Sequence, residues 1–126
     1  MSVTAFPQKR ILVVDDEAFV CEAVKMMLNF DGHKVQTAPS PEEALELFEV
    51  GKFDLLITDY SMPGMKGDAL AQAIKQLDPN LPVLMITAYA EVLPSVMKGV
   101  DHILGKPFLL ENLREGISKI SSAKRP

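Results

Sequence analysis

The stretch Phe53-Asp54-Leu55-Leu56-Ile57-Thr58-Asp59, followed by Tyr60-Ser61-Met62-Pro63, decides how this chain folds. A short apolar run bounded by polar and turn-forming residues reads as a strand buried on both faces, the kind found in parallel sheets. This one stops on a carboxylate. An earlier run, Ile11-Leu12-Val13-Val14, stops on two more, Asp15 and Asp16. If the two strands are neighbours, three negative charges converge on one edge of a sheet. Like charges a few ångströms apart raise each other's pKa unless a cation intervenes. The pattern therefore asks for a metal, a lysine, or both.

Working outward from these two runs, three more appear at Val35–Ala38, Val83–Ile86 and Ile103–Leu104. Helical periodicity separates them. Val20, Ala23, Val24, Met27 and Leu28 recur at three- and four-residue steps, and Asp31-Gly32 ends that pattern. Ser40, Pro41 and Glu43 form the start signal of a second helix, with N-cap, first-turn proline and capping-box acid in place. Ala44, Leu45 and Phe48 are its expected inner face, and Gly51 its stop. A third helix carries Leu70, Ala73, Ile74 and Leu77, and the last carries Leu110, Leu113, Ile117 and Ile120. Between Ala88 and Gly99 a short fourth helix is expected to begin near Pro94, because proline is tolerated in a first helical turn.

Strands alternating with helices predict an α/β fold: a single doubly wound, five-stranded parallel sheet with helices on both faces. The 126 residues make one domain, with its core at about 9–121 and frayed ends at 1–9 and 121–126. A net charge of −4 speaks against direct nucleic-acid binding, which needs a basic patch. Cys21 is the only cysteine, so no internal disulfide forms. Residues 1–7 lack the apolar stretch of a signal peptide, and no run approaches the roughly 18 apolar residues of a membrane span. A soluble, cytoplasmic protein with no membrane partner is the expectation.

Ligands of open doubly wound sheets bind beyond the carboxyl ends of the strands, where the strand order reverses. In the order 2-1-3-4-5, strands 1 and 3 flank that point, and these are the strands ending in Asp15-Asp16 and Asp59. A hard divalent cation with oxygen ligands, Mg2+ first among them, offsets the repulsion. The fourth strand ends in Thr87-Ala88 and the fifth runs into Lys106-Pro107-Phe108, adding a hydroxyl and a mobile positive charge suited to a phosphoryl group. An aspartate between a metal and a lysine is placed to attack phosphorus. Taken singly, each residue has a plainer reading: Asp59 as a turn residue, Asp15-Asp16 as a helix cap, Thr87 as a strand-end hydroxyl, Lys106 as a solvated charge. Their joint occurrence at four strand ends favours the site.

At this point the sequence resembles the receiver domains of two-component response regulators, such as the bacterial chemotaxis regulator. The residues carrying the resemblance are Val14-Asp15-Asp16-Glu17, Asp59 through Gly67, Ile86-Thr87-Ala88 and Lys106-Pro107-Phe108, spread over about the whole chain. The resemblance implies that Asp59 accepts a phosphoryl group from a phosphohistidine on a sensor histidine kinase or phosphotransfer protein. It implies Mg2+ ligation by Asp16, Asp59 and the backbone carbonyl of Ser61, with Asp15 acting through water. Thr87 would bond the phosphoryl group, Lys106 would pair with it, and the Lys106-Pro107 bond would be cis. Such a domain phosphorylates and dephosphorylates itself without turning over an external substrate. Its output protein or domain would meet the face made by the fourth helix, fifth strand and fifth helix.

The pattern departs from the family in places. The position three before Lys106, commonly aromatic in receivers, is Ile103, and the stretch from Thr87 to Lys106 is about three residues short. His102 and His33 read as structural residues in a strand and a turn. Tyr89, two positions beyond Thr87, is expected to screen the site from water; a Tyr89→Ala protein that loses its phosphoryl group no faster than the parent contradicts this. Alternatives are an adaptor acting without phosphorylation and an FMN-binding flavodoxin-like protein, though the latter wants glycines and hydroxyls after the first strand. A phosphoaspartyl hydrolase usually carries a second aspartate where Ser61 stands.

Overall fold

The computed structural model describes residues 7–124, together with the side chains of residues 7–121. The expected frayed stretches 1–6 and 125–126 lie outside the described residues. Five strands form one parallel sheet: β1 (Arg10–Val14), β2 (Lys34–Ala38), β3 (Leu55–Asp59), β4 (Val83–Thr87) and β5 (His102–Gly105). Their order is β2-β1-β3-β4-β5, as the sequence predicts. Four helices accompany them among the described residues: α1 (Ala18–Phe30), α2 (Pro41–Leu47), α3 (Gly67–Leu77) and α4 (Leu110–Lys124).

Side chains alternate along each strand, so each strand feeds two cores. Ile11, Val13, Leu55, Ile57, Leu84 and Ile86 pack under α1 and α4 with Val24, Leu28, Leu113 and Ile117. Leu12, Val14, Leu56 and Val83 face α2 and α3, against Ala44, Phe48, Leu70 and Ile74. Full burial of each large aliphatic contributes about 1.5–3 kcal/mol, which makes this double layer the main source of stability. The three central strands are buried along nearly their whole length, whereas the edge strands β2 and β5 are only half-buried.

Helix boundaries follow local chemistry. The Ser40 hydroxyl accepts from the Glu43 amide at 3.1 Å, with Pro41 in the first turn. The helix it starts ends at Leu47 rather than running on to Gly51, which sits in a turn at φ +87°. Two inner faces differ from expectation at one residue each. Cys21 rather than Ala23 is buried on α1, and Ala71 rather than Ala73 on α3, leaving Leu77 exposed. α4 continues to Lys124, so residues 121–124 are helical rather than frayed.

The helix expected to begin near Pro94 does not form. Residues 88–101 run from β4 to β5 as turns. One helix-like bond forms, from the Leu93 amide to the Tyr89 carbonyl at 3.0 Å, and Pro94 stops its extension because it has no N–H to continue the ladder. The segment is instead pinned at its far end. Asp101 accepts from the Val83 amide at 2.8 Å and from the Lys75 ammonium at 2.7 Å, while Val100 packs against the α3 core. The fourth helix of the expected output face is therefore absent, and that flank is made by this irregular connector, β5 and α4.

Candidate functional site

Strand register builds the site. Val14 pairs with Thr58, so Asp15 and Asp59 emerge side by side beyond the paired residues of β1 and β3. Thr87 pairs with Gly105, which places Lys106 one residue past the end of β5. The carboxylates of Asp15, Asp16 and Asp59 each offer an oxygen within 4.8 Å of the others. The Lys106 ammonium lies 3.1 Å from Asp15 Oδ2, 3.1 Å from Asp59 Oδ1 and 3.7 Å from Glu17 Oε1.

Asp15 and Asp59 are buried and Asp16 is exposed, so the acids run from the sheet edge out to solvent. Burial pushes the Asp59 carboxyl up, the charge of Asp15 adds to this, and the Lys106 hydrogen bond only partly opposes them. Burial likewise raises Asp15, against the pull of the Glu17 amide and Lys106. At Lys106 burial works to lower the pKa, but its bonds to Asp15 and Asp59 outweigh that and the ammonium is raised. Two buried acids held above their ordinary range attract further positive charge. All three offer carboxylate oxygens, the donors that hard divalent cations prefer, so the set fits such an ion.

The backbone fixes these side chains tightly. The Asp15 carboxylate accepts from the Glu17 amide at 2.9 Å as the chain turns into α1. The Tyr60 amide donates to the Ile86 carbonyl at 3.0 Å, and the Gly67 amide to the Tyr60 carbonyl at 2.8 Å. α3 thus begins directly against the backbone of Asp59, so closely that a Cβ at Gly67 would collide with the Asp59 carbonyl. Only glycine permits this approach. Thr87 is buried, and its hydroxyl accepts from the Tyr89 amide at 2.9 Å. The Lys106-Pro107 bond is cis. Ser61 follows on the loop between β3 and α3, half-buried.

The sheet thus brings Asp15, Asp16, Asp59 and Lys106 together in one cluster, with Thr87 at the neighbouring strand end and Ser61 on the adjoining loop. Residues 11–118 match the response regulator receiver domain family. The chain belongs to that family.

Among its relatives is response regulator MprA of Mycolicibacterium vanbaalenii, 36% identical over 107 residues, covering 82% of this chain and 46% of that protein. MprA of Mycobacterium leprae is 33% identical over 120 residues, covering 93% and 53%. The chain spans about half the length of the curated relatives it matches. In structure, a CheY-like receiver domain protein of Methanospirillum hungatei superposes with TM-score 0.84 at 31% identity, covering 94% of this chain and 97% of that one. Response regulator TrrA of Thermotoga maritima, solved in complex with Mg2+ and BeF, gives 0.82 at 35% identity, covering 90% and 99%. This receiver is a signalling domain of the two-component type.

Two residues escaped sequence reasoning as individuals. Gly67 was visible only as part of a motif, although a glycine just past a strand-ending acid is a signal of close backbone approach. Glu17 followed the acid pair with no role of its own. The histidines are structural: His33 is buried and its Nδ1 accepts from the Lys9 amide at 3.1 Å, while His102 packs beside Gly116 of α4. The Cys21 thiol, pushed up to about 11 chiefly by burial, stays protonated and donates to the Asp15 carbonyl at 3.3 Å. No helix among the described residues is long and apolar enough to cross a membrane.

Proposed function

We propose that this receiver is a phosphorylation-controlled switch in which Asp59 is the phosphoryl acceptor. The observation that carries the reading is the ammonium of Lys106, 3.1 Å from both Asp15 and Asp59, inside a triad of acids. A carboxylate so placed faces positive charge on the side where an incoming phosphoryl group needs its oxygens neutralised. Asp16, Asp59 and the Ser61 carbonyl would hold Mg2+, with Asp15 acting through water; the ion would supply charge neutralisation at the phosphoryl oxygens. The complex of the Thermotoga relative with Mg2+ and BeF supports that choice of ion.

Thr87 and Lys106 would bind the phosphoryl group from the β4 and β5 sides. For Thr87 this requires its hydroxyl to donate to the phosphoryl oxygen. The donor is a phosphohistidine on a sensor histidine kinase or a phosphotransfer protein. The domain acts on itself alone, taking up and losing its own phosphoryl group. Phosphorylation adds roughly two negative charges and shifts a two-state equilibrium toward the partner-binding form. The output partner would read the connector, β5 and α4, since no helix lies between β4 and β5 among the described residues.

Incubation with Mg2+ and acetyl phosphate, followed by intact mass, tests this reading. The parent should gain one phosphoryl group only when Mg2+ is present, and Asp59→Asn should gain none. An unchanged parent mass would overturn it.

A further inference from the structure

Glu17 occupies the N-cap of α1, yet its side chain makes no capping hydrogen bond. Its carboxylate instead faces the Lys106 ammonium at 3.7 Å, while its backbone amide holds Asp15 at 2.9 Å. Lys106 is therefore shared by three carboxylates. Asp15 and Asp59 belong to the acidic triad and Glu17 does not. The three also differ in setting: Asp15 and Asp59 are buried, whereas the Glu17 side chain is 65% exposed.

This arrangement creates a conflict that Glu17 resolves. A divalent cation drawn to the triad meets an ammonium already bonded to two of its three acids. Like charges sharing the same carboxylates repel strongly even at an effective dielectric of about 20. The ammonium must withdraw from Asp15 for the ion to settle, and the lysine stem allows this because its charge sits on rotatable bonds. The carboxylate waiting on the outer side is Glu17.

We propose that Glu17 is a positioning residue for Lys106, receiving its ammonium when a divalent cation binds the triad. The inference rests on the metal reading given above. It adds a role for a residue outside the ligand set. In the cation-free state Lys106 bridges the two buried acids; in the cation-bound state it pairs with Glu17 and stays near the mouth of the site. Among the described residues Glu17 is the one carboxylate outside the triad that pairs with this ammonium, so without it the displaced charge loses that partner. The ion then competes with it directly.

Mg2+ titration by calorimetry on four proteins tests this: the parent, Glu17→Gln, Lys106→Met and the double variant. Removing a partner that acts through Lys106 should weaken Mg2+ binding about three- to tenfold in the parent and leave it nearly unchanged in the Lys106→Met background, the signature of a coupled pair. An equal loss in both backgrounds would show Glu17 to be one more negative charge and would overturn the proposal, as would no loss in the parent. Glu17→Asp gives a second discrimination. It keeps the charge but not the reach, so it should bind Mg2+ as Glu17→Gln does; parent-like binding contradicts the proposal. None of these readouts needs phosphoryl transfer, so a protein that fails to accept phosphate but shows the coupling would refute the acceptor reading and keep this one.

Discussion

The carboxyl ends of β1 and β3 and the connector between β4 and β5 are built by opposite means. At the strand ends Asp15 and Asp59 are fixed by register, by a backbone hydrogen bond and by a glycine that lets one backbone touch another. In the connector, residues 88–101 make turns, and Val92 and Val96 stand about four-fifths exposed. Its last residues are pinned through Asp101, Lys75 and Val100, and its start by the Tyr89 amide on the Thr87 hydroxyl. The first region is held rigid by the sheet, whereas the second carries exposed apolar side chains on turns. A site held by the sheet thus survives remodelling of the neighbouring flank.

The contrast breaks most visibly at glycine. Gly67→Ala should cost about 3 kcal/mol, at the upper end for overpacking, because the new methyl meets the Asp59 carbonyl rather than a side chain that yields. Chemical denaturation measures the loss, and Mg2+-dependent phosphoryl uptake should fall with it. A Gly67→Ala protein as stable as the parent would mean that α3 does not anchor Asp59.

Within the connector the expected losses are smaller. Asp101→Ala removes the carboxylate that pairs with Lys75 and caps the Val83 amide, a loss of about 2 kcal/mol. Phosphoryl uptake should persist in that protein, since none of these groups touches the acids. Abolished uptake would erase the distinction between the two regions.

Acid titration separates site carboxylates from scaffold carboxylates by sign. Arg114 holds Asp31 below the usual carboxylate range through two hydrogen bonds, at 2.8 and 2.7 Å, tying α1 to α4. Its stabilisation is complete above the unfolded value of about 3.9 and is lost as pH falls through the lower folded value. Asp59 behaves the other way: burial raises it, so its cost appears as pH rises above about 3.9 and grows through the raised folded value. In metal-free buffer at neutral pH, Asp59→Asn should therefore melt a few degrees above the parent. The gap should close on adding Mg2+ or on acidification toward pH 4. A variant that melts lower in EDTA would contradict the electrostatic account.

The smallest effect is expected at Pro94. Pro94→Ala should change stability by no more than about 1 kcal/mol, since loop proline acts mainly through the unfolded chain. Far-UV circular dichroism should register a small gain of helix. A cost matching that of Gly67→Ala would show the connector to be as constrained as the site.

These two regions were unequally legible in the sequence. The runs at Ile11–Val14 and Leu55–Ile57 are fully apolar and end on acids, and one rule about strand order was enough to bring Asp15, Asp16, Asp59, Thr87 and Lys106 to one edge. The connector defeated the same reasoning for a geometric cause. A helix descending beside a five-residue strand, about 16 Å, uses about eleven residues, which leaves residues 88–101 almost nothing for two turns. A shorter helix would have to carry Pro94, whose missing N–H breaks the ladder. The close approach at Gly67 and the outward reach of Glu17 toward Lys106 depend on distances that residue spacing does not encode. On α1 and α3 the inner face differs at one residue each, Cys21 in place of Ala23 and Ala71 in place of Ala73, because small side chains carry a weak periodic signal.

The central claim, that Asp59 is the acceptor, is tested most directly by trapping the bond itself. Borohydride reduction converts an aspartyl phosphate to homoserine at the modified position, and tandem mass spectrometry of the peptides carrying residues 11–25 and 53–66 reads which residue changed. The account predicts homoserine at 59, formed only after incubation with Mg2+ and a phosphodonor. Homoserine at 15 or 16, with Asp59 intact, would contradict it.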